Sequence, residues 1–238
     1  MDSSRRTLIR TSFAAGAALA LPALGAARKN GIGKEKGEET EVTATEDLMR
    51  EHGILRRILL VYREAAVRLR RDAGAIDAAA LAEAAKLFRA FGEEYHEKLL
   101  EEAHIFPVVK RRGGRAAREA DILITQHRRG REITDYVLSA TRGGKLSAAA
   151  GAELATVFDA LDRMYENHAA REDTIVFPAW KTAFTNKQLD EKGDEFEAIE
   201  RKMFGHDGFE DAEKKISAIE TTLGLADLAQ FTAPPPPR

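Results

Sequence analysis

YHEKLLEEAHIFP, Tyr95 to Pro107, gathers His96, Glu97, Glu101, Glu102 and His104 ahead of an apolar Phe-Pro ending. A later stretch, ENHAAREDTIVFP, Glu166 to Pro178, ends the same way. Glu101 and Glu172 each lie six residues before the proline; Glu102 and Asp173 each lie five before it. Each stretch reads as the end of a long helix. In the second, His168 and Glu172 are i and i+4 and share a face, and Glu172 continues the apolar stripe Leu154, Val157, Leu161, Met164. An unpaired carboxylate on such a stripe is costly, and a bound cation relieves that cost. The two stretches therefore read as related halves of one site.

Outward from this pair, the chain reads as all-α. Ala, Leu, Glu, Arg and Lys dominate and strand-like alternation is scarce. Leu48, His52, Leu55, Leu59, Tyr62 and Leu69 form the stripe of a first helix. A second helix runs from about Asp77 to the 106–111 region and is broken at Arg112-Gly113-Gly114. Leu123, His127, Gly130, Thr134 and Val137 mark the inner face of a third, which Arg142-Gly143-Gly144 ends. Ser147 is a natural cap for the fourth. Short Gly-Gly connections between long helices predict an up-down-up-down four-helix bundle, with shorter helices near Asn186–Phe204 and Asp211–Leu223 outside it.

The bulk properties narrow the function. The chain has 238 residues, 32% charged and 44% hydrophobic, with a formal net charge of -2, so no basic field points to nucleic acid. Runs such as Arg68-Leu69-Arg70-Arg71 and Arg128-Arg129 read as solvated helix faces. There is no cysteine, which excludes disulfides, thiolate metal sites, iron–sulfur clusters and a cysteine nucleophile. Ser4–Arg10, SRRTLIR, followed by the Ala-rich Ser12–Ala26, resembles a twin-arginine export signal over residues 1–26. Export to the periplasm or another extracytoplasmic space, and no stable membrane insertion after cleavage, are expected. Residues 27–42 read as a flexible linker, 43–231 as the helical domain, and 232–238 as a Pro-rich tail that cannot be helical.

His52, His96, His127 and His168 fall one in each main helix. A single histidine on an apolar stripe is usually a satisfied core residue; one on each of four helices converges in an up-down bundle. With Glu101 and Glu172 they make an imidazole–carboxylate set suited to iron, manganese or zinc, and two bridging carboxylates suit a pair of ions. His104, His206, Tyr62, Tyr95, Tyr165 and Trp180 read as surface or packing residues, and the Phe-Pro pairs as hydrophobic caps of the bundle end.

A histidine in helix one, His-x-x-x-Glu in helix two, His-x-x-x-His in helix three and His-x-x-x-(Glu/Asp) in helix four is the hemerythrin pattern. From about Thr45 to Trp180 the chain resembles bacterial HHE members of that family, and Gly205–Thr232 resembles the tail of one bacterial subgroup. The resemblance implies a non-haem di-iron bundle that binds dioxygen reversibly or senses oxygen, nitric oxide or iron, with no protein partner specified. By position His52, His127 and His168 are ligands, Glu172 bridges, and His96 and Glu101 take the places of helix two. Two departures stand out. His96 and Glu101 are five apart rather than four, a rotation of about 140° instead of about 40° in an α-helix; a π-bulge near Lys98–Leu100 is predicted to reunite them, and without it Glu97 becomes the stronger candidate. Arg131 replaces the second histidine of helix three, and a guanidinium cannot ligate a cation.

Two other readings compete. A ferritin-like di-iron oxidase or peroxidase wants Glu-x-x-His on two helices, whereas Glu93-x-x-His96 and Glu101-x-x-His104 share one. A metal-free helical interaction module requires hydrogen bonds alone to satisfy four inward histidines.

Overall fold

The computed structural model describes residues 42–237; the expected signal and nearly all of the expected linker lie outside them. Every regular element among the described residues is helical. Helix α1, Ala44–Arg71, starts at Thr43, whose side chain accepts from the Glu46 N–H while Glu46 reaches back to the Thr43 backbone, a capping box. Its last turn carries Arg68, Arg70 and Arg71, the sign that the helix dipole favours there. Helix α2, Ala78–Leu87, is capped by Asp77 and continues without a break into a π-helical segment, π1, Phe88–Ile105, and then α3, Phe106–Arg112. Gly113 and Gly114 turn the chain at φ 74° and 77°, a conformation that costs a side chain but not glycine. Helix α4, Gly114–Thr141, follows. Ser147 caps α5, Ala148–Arg171, which passes through a second π turn, π2, Glu172–Val176, into α6, Phe177–Lys181. Helices α7, Asn186–Phe204, and α8, Gly208–Thr222, follow, and a 3-10 turn at Leu228–Phe231 is the last helical element among the described residues. Residues 232–237 form no helix.

Side-chain pairs fix the directions. Between α1 and the fourth bundle helix the pairs run Arg56–Asp173, Arg63–Asp162 and Arg70–Asp159: one number rises as the other falls, so the two are antiparallel. Arg89–Asp135, Glu93–Thr134, His127–Glu102 and Lys110–Asp121 show the same for the second and third helices. His168–Gln126 and Tyr136–Glu153 do so for the third and fourth. The bundle is up-down-up-down, as the short connections predict. Tyr62 stacks on Phe158 with ring centroids 4.4 Å apart, inside a core that includes Leu48, Ile58, Leu81 and Leu154. Each such side chain, fully buried, stabilises the fold by roughly 1.5–3 kcal/mol. Arg57 ties α8 to α1 through Glu213, Ser217 and Glu220.

The π geometry is wider than the sequence foretells. The widened turn expected near Lys98–Leu100 is present but belongs to a longer π1, Phe88–Ile105, and nothing in the sequence signals π2. Both end alike: the Phe106 N–H bonds to the Glu101 carbonyl and the Phe177 N–H to the Glu172 carbonyl, five residues back. Pro107 and Pro178 follow at the first turn of the next α segment, where the missing N–H is tolerated. The repeated Phe-Pro ending is thus the exit from a widened turn. A widened turn also returns residues five apart to one face, as His96 and Glu101 require.

Candidate metal centre

All six expected site residues meet in the bundle centre. His52, His96, Glu101, His127, His168 and Glu172 are each no more than 3% exposed. His96 Nε2 lies 3.3 Å from Glu101 Oε1, and His127 Nε2 lies 3.3 Å from Glu101 Oε2. Glu172 Oε2 lies 3.0 Å from His168 Nε2 and 3.4 Å from His52 Nε2. The two carboxylates thus lie between two histidine pairs: His52 with His96, ring centroids 4.7 Å apart, and His127 with His168, 4.8 Å apart.

The donor atoms converge on one another. Both oxygens of Glu101, both of Glu172 and Nε2 of His96 are buried with no hydrogen-bond partner, an arrangement that buried polar groups normally avoid. His127 Nε2 and His168 Nε2 stand 3.1 Å apart. Metal–ligand bonds of ~2.0–2.2 Å at right angles put neighbouring donors about 3 Å apart, which matches these spacings. Glu101, His127, His168 and Glu172 form one group able to hold an ion, with donor atoms within 4.8 Å of one another, and His52, His96 and Glu101 form another. A further grouping of Glu97, Glu102 and His127 already holds the Arg131 guanidinium, 3.2 Å from Glu97 and 2.7 Å from Glu102.

Each imidazole turns Nε2 inward because its Nδ1 is bound outside. His52 Nδ1 meets Asp173 at 2.7 Å, His96 Nδ1 meets Glu51 at 2.6 Å, His127 Nδ1 meets Glu102 at 2.9 Å, and His168 Nδ1 meets Gln126 at 2.9 Å. Such partners fix the tautomer and orientation of a ligating ring. The pattern is two-fold related. Asp173 and Glu102, each one residue after a central carboxylate, hold the histidine of the opposite helix. Glu51 and Gln126, each one residue before a histidine, hold the ring of the next helix. Arg56 and Arg131, each four residues after a histidine, clamp Asp173 and Glu102 at 2.7 Å. Arg131, which stands where the family pattern has a second histidine, is the structural counterpart of Arg56. Phe177 stacks on His52 and Phe106 on His127, so the Phe-Pro pairs wall the site instead of merely capping the bundle.

Sequence reasoning missed Glu51, Gln126 and Arg56, although each sits at a fixed offset from a histidine. Two tyrosines also do more than pack. Tyr95 donates to Glu51 at 3.1 Å, and Tyr165 donates to Glu97 at 2.6 Å. Glu97 is thereby held by Tyr165 and Arg131, and with π1 present Glu101 takes the inward place. His104 lies apart, 3.5 Å from Glu195, and His206 pairs with Asp211.

Charge follows from this packing. Burial and the neighbouring Glu172 push the Glu101 carboxyl up, but His96 and His127 bring it below its ordinary value. Burial likewise opposes ionisation of Glu172, yet His168 and His52 hold it well below the usual carboxylate range. Burial depresses His127, while Glu97, Glu101 and Glu102 outweigh it and lift the ring to about 10. His52 and His96 are raised for the same reason, against the same burial penalty.

A cavity of about 10 Å³ opens on this centre, lined by His52, His96, Glu101, His168 and Glu172 with Leu55 and Tyr165. That is close to the least space that holds one water-sized molecule. A larger groove of about 540 Å³ lies between α2 and α8 and touches none of these residues.

The fold and site thus define a helical bundle with a buried histidine–carboxylate cluster able to hold a metal ion. Residues 43–180 match the hemerythrin HHE cation-binding domain, and the chain belongs to that family. It is similar to uncharacterized proteins of Mycobacterium bovis and Mycobacterium tuberculosis, each 42% identical over 233 residues, covering 96% of this chain and 90% of the relative. No solved structure matches it.

Proposed function

We propose that the protein is a non-haem di-iron protein that binds or senses dioxygen or a related small oxidant such as nitric oxide or peroxide. In this reading His52 and His96 hold one ion, His127 and His168 hold the other, and Glu101 and Glu172 serve both. The observation that carries it is the set of five buried, unpartnered donor atoms on His96, Glu101 and Glu172, converging from two helices. Manganese or zinc suits the same donors; the family favours iron.

A pair of iron ions supplies the redox electrons that a small oxidant takes up. The protein's own residues do the rest. Asp173, Glu51, Glu102 and Gln126 keep every imidazole presenting Nε2. Phe106, Phe177 and Leu55 exclude bulk water. The cavity of about 10 Å³ beside these donors is too small for any substrate much larger than a diatomic ligand. Export by a twin-arginine route is proposed from Ser4–Arg10 and the Ala-rich segment after it.

The test is an optical spectrum of the iron-loaded protein before and after air, and again after degassing. Near-ultraviolet bands that appear in air and reverse on degassing match reversible dioxygen binding. Irreversible oxidation with rapid peroxide turnover points to the ferritin-like enzyme instead. A spectrum that neither air, peroxide nor nitric oxide changes contradicts the proposal.

A further inference from the structure

The two-fold pattern around the centre breaks at one pair. His96 Nδ1 is held by Glu51, a carboxylate 1% exposed; His168 Nδ1 is held by Gln126, a half-buried neutral amide. The Nδ1 partners of the other two histidines match: Asp173 with Arg56 answers Glu102 with Arg131, although Arg131 also reaches Glu97. We propose that Glu51 and Gln126 make the two metal positions unequal, so that the His52/His96 position fills first and holds its ion more tightly. This rests on the di-iron reading above and deepens it.

The physical basis is local. A carboxylate that accepts from Nδ1–H raises the electron density an imidazole offers through Nε2, and outer partners of this kind alter metal affinity by about 10–100-fold when changed. An amide oxygen fixes the same tautomer but carries no full charge to share. Burial of Glu51 strengthens the effect, because little water screens it. Tyr95, donating to the other Glu51 oxygen at 3.1 Å, holds the carboxylate in place. Glu97 does not restore the balance. It stands 3.9 Å from His127 Nδ1, beyond hydrogen-bond reach, and its oxygens face Tyr165 and Arg131.

The experiment is an anaerobic titration of the metal-free full chain with ferrous iron against a competing chelator, followed by Mössbauer spectra at one and two equivalents. Two uptake steps are expected, separated by about tenfold or more, with one dominant iron environment at one equivalent. Glu51→Gln weakens the tighter step and brings the two together. Gln126→Glu strengthens the weaker step to the same end, at a half-buried position that leaves the core untouched. The doubly exchanged protein, with both substitutions, separates the steps again. A single uptake step in the native protein, or two steps that neither substitution moves, overturns the inequality while leaving the di-iron reading intact. No iron uptake by the native protein overturns both.

Discussion

At the scale of single residues, the centre depends on which atom of each side chain is left over. His52 commits Nδ1 to Asp173 at 2.7 Å, which Arg56 clamps from the far side, so Nε2 alone faces inward. Asp173→Asn keeps the shape and removes the charge; metal affinity measured by chelator competition is expected to fall about 10–100-fold. Protons compete for the same atoms. Because its acidic neighbours lift His127 to about 10, the metal-free centre carries protons at neutral pH that an ion must displace. Raising the pH removes that competitor, so affinity should climb from pH 6 towards pH 10, and loading at pH 7 should release protons in a pH-stat. Affinity independent of pH over this range contradicts the assignment of His127. Four of the six inward residues were legible because helical spacing puts His52, His127, His168 and Glu172 on apolar stripes; His96 and Glu101 were legible only through the matching Phe-Pro endings and the family pattern. Their outer partners were not, because a residue one position away from a stripe looks like any solvated polar residue until the neighbouring helix is placed.

At the scale of elements, two features bring helices close enough for those contacts. The first is the π geometry. His96 and Glu101 share a face only because π1 replaces an α-helix there. The five-residue spacing revealed the need for a widened turn, but not its extent. Nothing in the regular four-residue spacing of His168 and Glu172 revealed π2. The second is Gly130 on α4. A Cβ built there would stand 2.1 Å from the Tyr165 hydroxyl, so only glycine lets α5 approach and Tyr165 reach Glu97. Gly130→Ala should destabilise the fold by roughly 1–3 kcal/mol, the usual cost of overpacking a tight contact, measured by urea unfolding. Adding Tyr165→Phe removes the clashing atom and should recover part of that loss. Losses that simply add in the double variant would show that the two residues do not couple.

At the scale of the whole molecule, the bundle is held both by its apolar core and by its centre. Directions, connections and caps were legible from Gly113-Gly114, Gly143-Gly144 and Ser147, because turns and helix starts are local chemistry. The pairing Arg57–Glu220 that docks α8 joins residues 163 apart, and no local signal announces it. Buried, unpartnered carboxylates make the metal-free bundle the less stable form. Ligand at a hundred times its dissociation constant adds about 2.7 kcal/mol, and about 2–4 °C per kcal/mol is usual at this size. Chelation should therefore lower Tm by about 5–10 °C, and iron should restore it. The most direct test of the account is the metal content of the untagged protein after expression with supplemented iron, beside the variant Glu172→Ala. Two iron ions per native chain, with most of that iron lost in the variant, is the predicted result. A native protein that binds no metal, or a variant that keeps both ions, contradicts it.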